Sequence, residues 1–272
     1  MVMRDGIAKA HIVMCGNIAH CLISDKESEW RLGYHTVIGQ LANAASLQII
    51  EEALPGISGS KLGDDYAAFL YPYVDVAWDG YFSARVSATF YPEAEEGYCE
   101  LLISALDTAK TDILSARYDY RFHGDLDRLL GIVFPRIRNV LHFAGRLLGH
   151  YDGLGKELLE NQQLARKLEE MGLVNWFVLF DSELSELASR RGRWASFDEF
   201  LHLNRHVERL LWQFGFIPWK TDEGQLRVEV PIGTDAHRLM GIRPRLRLAL
   251  ATIFGKLRKV VASLAPLRHL AA

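Results

Sequence analysis

Over residues 35–54, the apolar residues Val37, Ile38, Leu41, Leu47, Ile50 and Leu54 recur near the helical period, which predicts a helix over His35–Leu54 ended by Pro55-Gly56. The preceding HIVMCGNIAHCLI reads as β-like. From Tyr66 to Leu106 the period shortens toward two. The runs AAFLYPYVDVAW, YFSARVSATFY and YCELLISAL are rich in aromatic and β-branched residues, and Asp79-Gly80 and the 93–97 segment separate them. An Asp-Gly pair supplies the positive φ of a tight hairpin, so this stretch predicts an antiparallel meander. ARYDYRF reads as a further strand, and a helical region follows from Asp125.

In the second half, a charged helix is expected over Lys156–Met171, closed by Gly172, and then a strand at VNWFVLF. Ser196 with Glu199 forms a capping-box pattern for a helix reaching about Phe214, with Gly215 as its C-cap. FIPW, the turn from Thr221 to Gly224 and QLRVEVPI predict a hairpin. Its second strand alternates Leu226, Val228 and Val230 inward with Arg227 and Glu229 outward. A last helix is expected to run nearly to the end.

RLLGIVFPRIR at 128–138 matches RLMGIRPRLR at 238–247, with seven identities in ten aligned pairs after one residue is skipped. Each copy follows an expected strand, and Pro135 and Pro244 are placed at N1 of the helix after it, where a missing N–H costs nothing. The expected fold class is therefore α+β, with two tandem related domains, 1–152 and 153–272. Each is a small antiparallel sheet with packed helices and a strand–turn–helix–Pro–helix closing unit.

The 272 residues, 49% hydrophobic and 24% charged, exclude disorder, collagen and coiled coil. Three cysteines, at 15, 21 and 99, suit neither a disulfide framework nor a zinc ribbon, so a reducing cytoplasm is expected. No apolar run approaches the roughly 20 residues that span a bilayer, and the first residues lack a signal-peptide core. The net charge of −3 hides a basic tail: from Gly233 onward eight Lys and Arg face one acid, giving +7 there and −10 before it. Within the tail Leu246, Leu250, Ile253, Leu257, Val260 and Leu264 form an amphipathic stripe. Arg243, Arg245, Arg247, Lys256, Arg258 and Lys259 are the candidate partner-binding residues, suited to a protein with an acidic face. DNA or an anionic membrane ranks below a protein, and a homo-oligomer or larger complex fits the same reading.

LARKLEEMGLVNWFVLFD, the Leu203-Asn204 helix, the hairpin and the closing helix follow one another in an order that resembles the type III secretion chaperone-like fold. That family includes the Tir chaperones and the YbjN-like proteins, and the resemblance covers about 164–257. It implies a non-enzymatic module that binds extended protein segments along a sheet or helix surface, often as a dimer, with no catalytic residues to transfer. The expected function is thus a chaperone-like adaptor or assembly subunit of bacterial type, without a cofactor.

The enzymatic alternative rests on SKLGDDYAAFL at 60–70, which resembles the G-G-D-E-F hairpin of palm-type nucleotidyl cyclases, active or degenerate. There Asp64 and Asp65 would hold Mg²⁺ at a hairpin tip. Asn17 stands where a strand carboxylate is needed and Leu62 replaces a glycine, so no cyclase activity is expected. His202 and His206, four apart on a helix, have the spacing of metal ligands but read as ordinary helix-surface histidines. Cys15 and Cys21 read as core residues. Gly59-Ser60-Lys61 lacks the P-loop spacing and no catalytic triad is found. A third reading makes the hairpin the wing of a DNA-binding winged helix, although the helix before it is close to neutral. Trp212, Phe214, Phe216 and Trp219 are expected to form a core edge, with Asn204 buried and hydrogen-bonded.

Overall fold

A computed structural model describes residues 2–4, 7–9, 12–60, 64–222 and 225–231. A short hairpin pairs β1 (Val2–Arg4) with β2 (Ile7–Lys9). Helices follow: α1 (Gly16–Leu22), α2 (Glu27–Ala53), α3 (Asp65–Ser87), α4 (Ala94–His123) and α5 (Leu126–Leu154). After them come α6 (Gln162–Glu170), α7 (Val174–Ser189), α8 (Asp198–Leu201) and α9 (Asn204–Gln213), and then a second hairpin, β3 (Ile217–Lys220) with β4 (Leu226–Glu229).

The α+β expectation is overturned: the described chain is nearly all helical, and its strands form two separate two-stranded ribbons. The expected meander is α3 and the first part of α4. Asp64 opens α3 by accepting the Ala67 N–H at 2.7 Å. Leu70, Tyr73, Val74, Ala77, Trp78 and Tyr81 are all buried at spacings of three and four, so the aromatic run that mimics alternation is a helix face. Asp79-Gly80 is helix interior rather than a turn. ARYDYRF lies within α4, VNWFVLF is the first part of α7, and the β-like start runs into α1. The helix expected over His35–Leu54 is there as the greater part of α2.

Pro135 does not begin a new helix, and Gly131 does not end one; both lie inside α5. Proline leaves the carbonyl four residues back without its partner. Pro135 and Gly131 are both exposed, so that carbonyl faces water, and Pro72 with Ala68 repeats the arrangement in α3. The second copy of the repeat lies outside the described residues.

α3 and α5 set the architecture. Gly145, Gly149 and Gly153, one per turn of α5, lie against the carbonyl oxygens of Ala77, Tyr81 and Arg85, one per turn of α3. A Cβ at any of the three would overlap that oxygen. Gly80 of α3 repeats this in reverse, since its Cβ would lie 2.8 Å from the His142 carbonyl oxygen. The two backbones therefore touch, and larger side chains are displaced to the flanks, where α2 packs on α3 and α4 packs on α5.

The segment around α8 lays aromatic rings on α3: Trp194 and Phe200 meet Trp78 edge-on at 6.1 and 5.5 Å, and Phe197 meets Tyr71 at 5.1 Å. Residues on both sides of the expected 152/153 boundary thus belong to one connected buried cluster. Three helices end alike. After α5, α6 and α9 the chain turns through Gly155, Gly172 and Gly215 at φ near +66°, +65° and +79°. In each, paired backbone bonds such as Phe216 N–H to Leu211 C=O and Gly215 N–H to Trp212 C=O close the last turn. The expected closures at Gly172 and Gly215 hold.

Candidate functional site

The hairpin stands on the end of α9 and is held by side chains from the N-terminal helices. Arg117 of α4 donates from Nη1 to the Phe214 carbonyl at 3.2 Å and from Nη2 to the Pro231 carbonyl, and its guanidinium lies 6.0 Å from the centre of the Phe216 ring. A Cβ on Gly215 would overlap that guanidinium, so glycine serves both the left-handed turn and the arginine packed on it. From α3, the Tyr66 hydroxyl donates to the Glu208 carboxylate and contacts the Pro218 carbonyl at 3.2 Å. Burial first, and Glu208 second, raise the Tyr66 pKa, which keeps the phenol a donor. Lys220 Nζ reaches Asp64 Oδ2 at 3.1 Å.

These ties orient two faces. Phe214 and Phe216 are buried as expected, and Leu226 and Val228 are half-buried, so β4 alternates as its sequence predicts. The other half of the expected core edge is wrong: Trp212 is 50% exposed and Trp219 42%. Trp212 projects from the exposed side of α9, and Trp219 shares the outward side of β3 with Ile217, across from Arg227 and Glu229. Asn204 is half-buried, and its Oδ1 has no hydrogen-bond partner among the described residues. β3 has a proline at its centre, and Tyr66 occupies the Pro218 carbonyl. β4 pairs with β3 alone, so its other edge carries no strand among the described residues.

The remaining expected site residues are dispersed. Asp64 is a helix cap and Asp65 lies in the first turn of α3, so the acidic pair stands at a helix start and not at a hairpin tip. The Ala67 N–H, and then Lys220, hold the Asp64 carboxyl below the usual range. His202 is exposed as expected, but His206 is not a surface histidine: it is fully buried, 2.8 Å from Glu183 Oε2, and Arg205 holds the same carboxylate. Burial pushes the His206 pKa down. Cys15 is exposed and precedes α1, and Cys21 is half-buried, so neither is the core residue expected. Arg243, Arg245, Arg247, Lys256, Arg258 and Lys259 lie outside the described residues.

One polar grouping gives no signal in the sequence, because His35, Tyr98 and His150 come from different helices. His35 Nδ1 donates to the Ser87 carbonyl at 2.9 Å, and its Nε2 accepts from the Tyr98 hydroxyl at 2.7 Å. His150 Nε2 donates to the Pro92 carbonyl at 3.0 Å, leaving its buried Nδ1 without a partner among the described residues. Burial holds both imidazoles neutral by lowering their pKa values. On α3, burial and then the neighbouring Asp75 push the Asp79 carboxyl up to about 7. On α7, burial and then Asp152 push Asp181 up to about 6.

Among the described residues no helix is long and apolar enough to cross a membrane, and no three His, Cys, Asp or Glu side chains converge as a metal site. Comparison with protein-family models, with curated proteins and with solved structures returned no match.

Proposed function

We propose that the protein is a binding module that takes an extended segment of another protein against the hairpin, as a chaperone-like adaptor or assembly subunit. The observation that carries this reading is the pairing of exposed Trp212, Ile217 and Trp219 with a ribbon whose β4 edge carries no strand among the described residues. An added strand would satisfy the backbone groups of β4, and the tryptophans would supply anchors, because interfaces draw on a few large aromatic side chains. The residues behind this face are tied to three helices, so a partner meets a surface ordered beforehand. The basic residues from Arg238 onward favour a partner with acidic character, and the reading places the protein in the cytoplasm.

The test is capture from the native host with the wild-type chain and with Trp212→Ser/Trp219→Ser. The double variant should keep its far-UV circular dichroism and lose the captured protein. Equal capture by both, or capture only of nucleic acid that nuclease removes, would transfer the reading to another face or to the winged-helix alternative.

A further inference from the structure

A cleft of about 530 Å³ lies between α4, α6 and the end of α9, within the size range of small-molecule sites. Its α4 wall carries Lys110 and Arg117, its apolar surface comes from Ile113, Met171 and Phe214, and Glu169 and Glu170 line the α6 side. The two cations are half-buried and both glutamates are exposed, so positive charge lies deeper than negative. Lys110 and Arg117 have no ion-pair partner among the described residues; Arg117 gives both Nη groups to the Phe214 and Pro231 carbonyls, which leaves Lys110 as the cation open to a ligand. Glu170 reaches only Lys167, at 3.7 Å. The walls are fastened: Gln213 donates its amide to the Met171 carbonyl, and Gly172 closes α6 in a left-handed turn.

From this arrangement we infer that the cleft binds a small zwitterion with an apolar body, the size of a free amino acid or a dipeptide. The carboxylate meets Lys110, with the Arg117 guanidinium adding positive potential behind it, the ammonium faces Glu169 and Glu170, and the apolar part covers Ile113, Met171 and Phe214. A half-buried lysine with no counter-charge among the described residues gains from a ligand carboxylate through a charge-assisted bond. A ligand with only a negative charge must pass the exposed glutamates, and one with only a positive charge meets the cations. The cleft shares Arg117 and Phe214 with the mounting of the hairpin but not the hairpin's outward face, and it does not depend on the docking reading.

Isothermal titration of the full chain with L-leucine, L-methionine and L-phenylalanine tests it, beside N-acetyl-L-leucine, which lacks the ammonium, and L-leucinamide, which lacks the carboxylate. At least one free amino acid should bind saturably, and each blocked form of leucine should bind about tenfold more weakly or worse, the scale of one lost charged contact. Lys110→Gln should lower affinity for the free amino acid about tenfold with an unchanged melting temperature. Should that variant melt early, the exposed pair Glu169→Gln/Glu170→Gln decides. It should weaken L-leucinamide and strengthen N-acetyl-L-leucine. No saturable binding of any free amino acid up to about 10 mM, below the affinity of a specific site, would overturn the proposal. So would equal binding of the free and blocked forms, or affinities that neither variant changes.

Discussion

Two aromatic-rich segments of this chain look alike in sequence and end differently. Residues 66–82 and 212–230 both mix phenylalanine and tryptophan with valine at short intervals. The first is a helix whose Tyr73, Trp78, Tyr81 and Phe82 are buried, and the second is a helix end and ribbon whose Trp212 and Trp219 face solvent. The difference lies in what each is packed against. α3 meets the glycine row of α5, contributed by residues some 70 positions later, which brings backbone to backbone and draws the flanking rings inward. Among the described residues the hairpin meets α9 and the ends of α4 and α3, through Arg117 and Tyr66, which cover one side of it. Aromatic density alone therefore does not mark a core; a partner surface is needed.

The largest effect expected from this comparison is at the α3–α5 contact. Gly149→Ala should cost about 3–5 kcal/mol or prevent folding, because its Cβ would overlap the Tyr81 carbonyl oxygen and neither backbone can give way. Gly131→Ala, in the same helix with nothing near its Cβ, should instead stabilise by about 0.5–1 kcal/mol. Urea unfolding of the two variants checks the pair, and equal effects would contradict the close contact.

Next in size are the tryptophans. Trp78→Ala should cost about 3–5 kcal/mol, since it removes a buried ring and the 2.9 Å bond from its Nε1 to Ser46. Trp212→Ala should cost less than about 1 kcal/mol, as a half-exposed residue does. A similar loss at both sites would mean that Trp212 belongs to a core, as its sequence suggested.

Smaller still, and dependent on pH, is Asp79→Asn. The folded Asp79 pKa, about 7, lies above the unfolded carboxylate value, so between about pH 4 and 7 the folded state binds more protons. Stability from this group is complete below that window and is lost as pH rises through it. The amide should therefore be more stable than wild type by about 1–3 kcal/mol at pH 8, with the gain vanishing near pH 4. Thermal melts across that range measure it, and a gain that grows toward acid would reverse the assignment.

What could be read from the sequence follows the same division. Helix α2, the glycine closures at 172 and 215 and the second hairpin were legible because each is specified locally, by periodicity, by a left-handed turn or by alternation. The capping box was legible in part: Glu199 reaches back to the Ala195 N–H at 2.6 Å, but the helix breaks into α8 and α9. The meander is suggested by aromatic and β-branched composition, whereas Leu70, Tyr73, Val74 and Ala77 lie at helical spacings and not in alternation, and the glycine row that packs on them is remote. Asp64 stands out in the sequence for its acidity, yet its work is to cap α3 and hold Lys220, an ion pair between residues 156 positions apart. The hairpin's exposed face was hidden because Trp219 and Phe216 belong to the same short aromatic cluster and differ only in the side they take.

The docking face can be tested at a single position. A photo-crosslinking amino acid placed at 219 in the native host, with one at exposed Glu100 of α4 as the comparison, samples what touches the outward side of β3. The account predicts a discrete adduct with another protein from position 219 and none from position 100. No adduct at 219, the same adducts from both positions, or adducts with nucleic acid alone would contradict it.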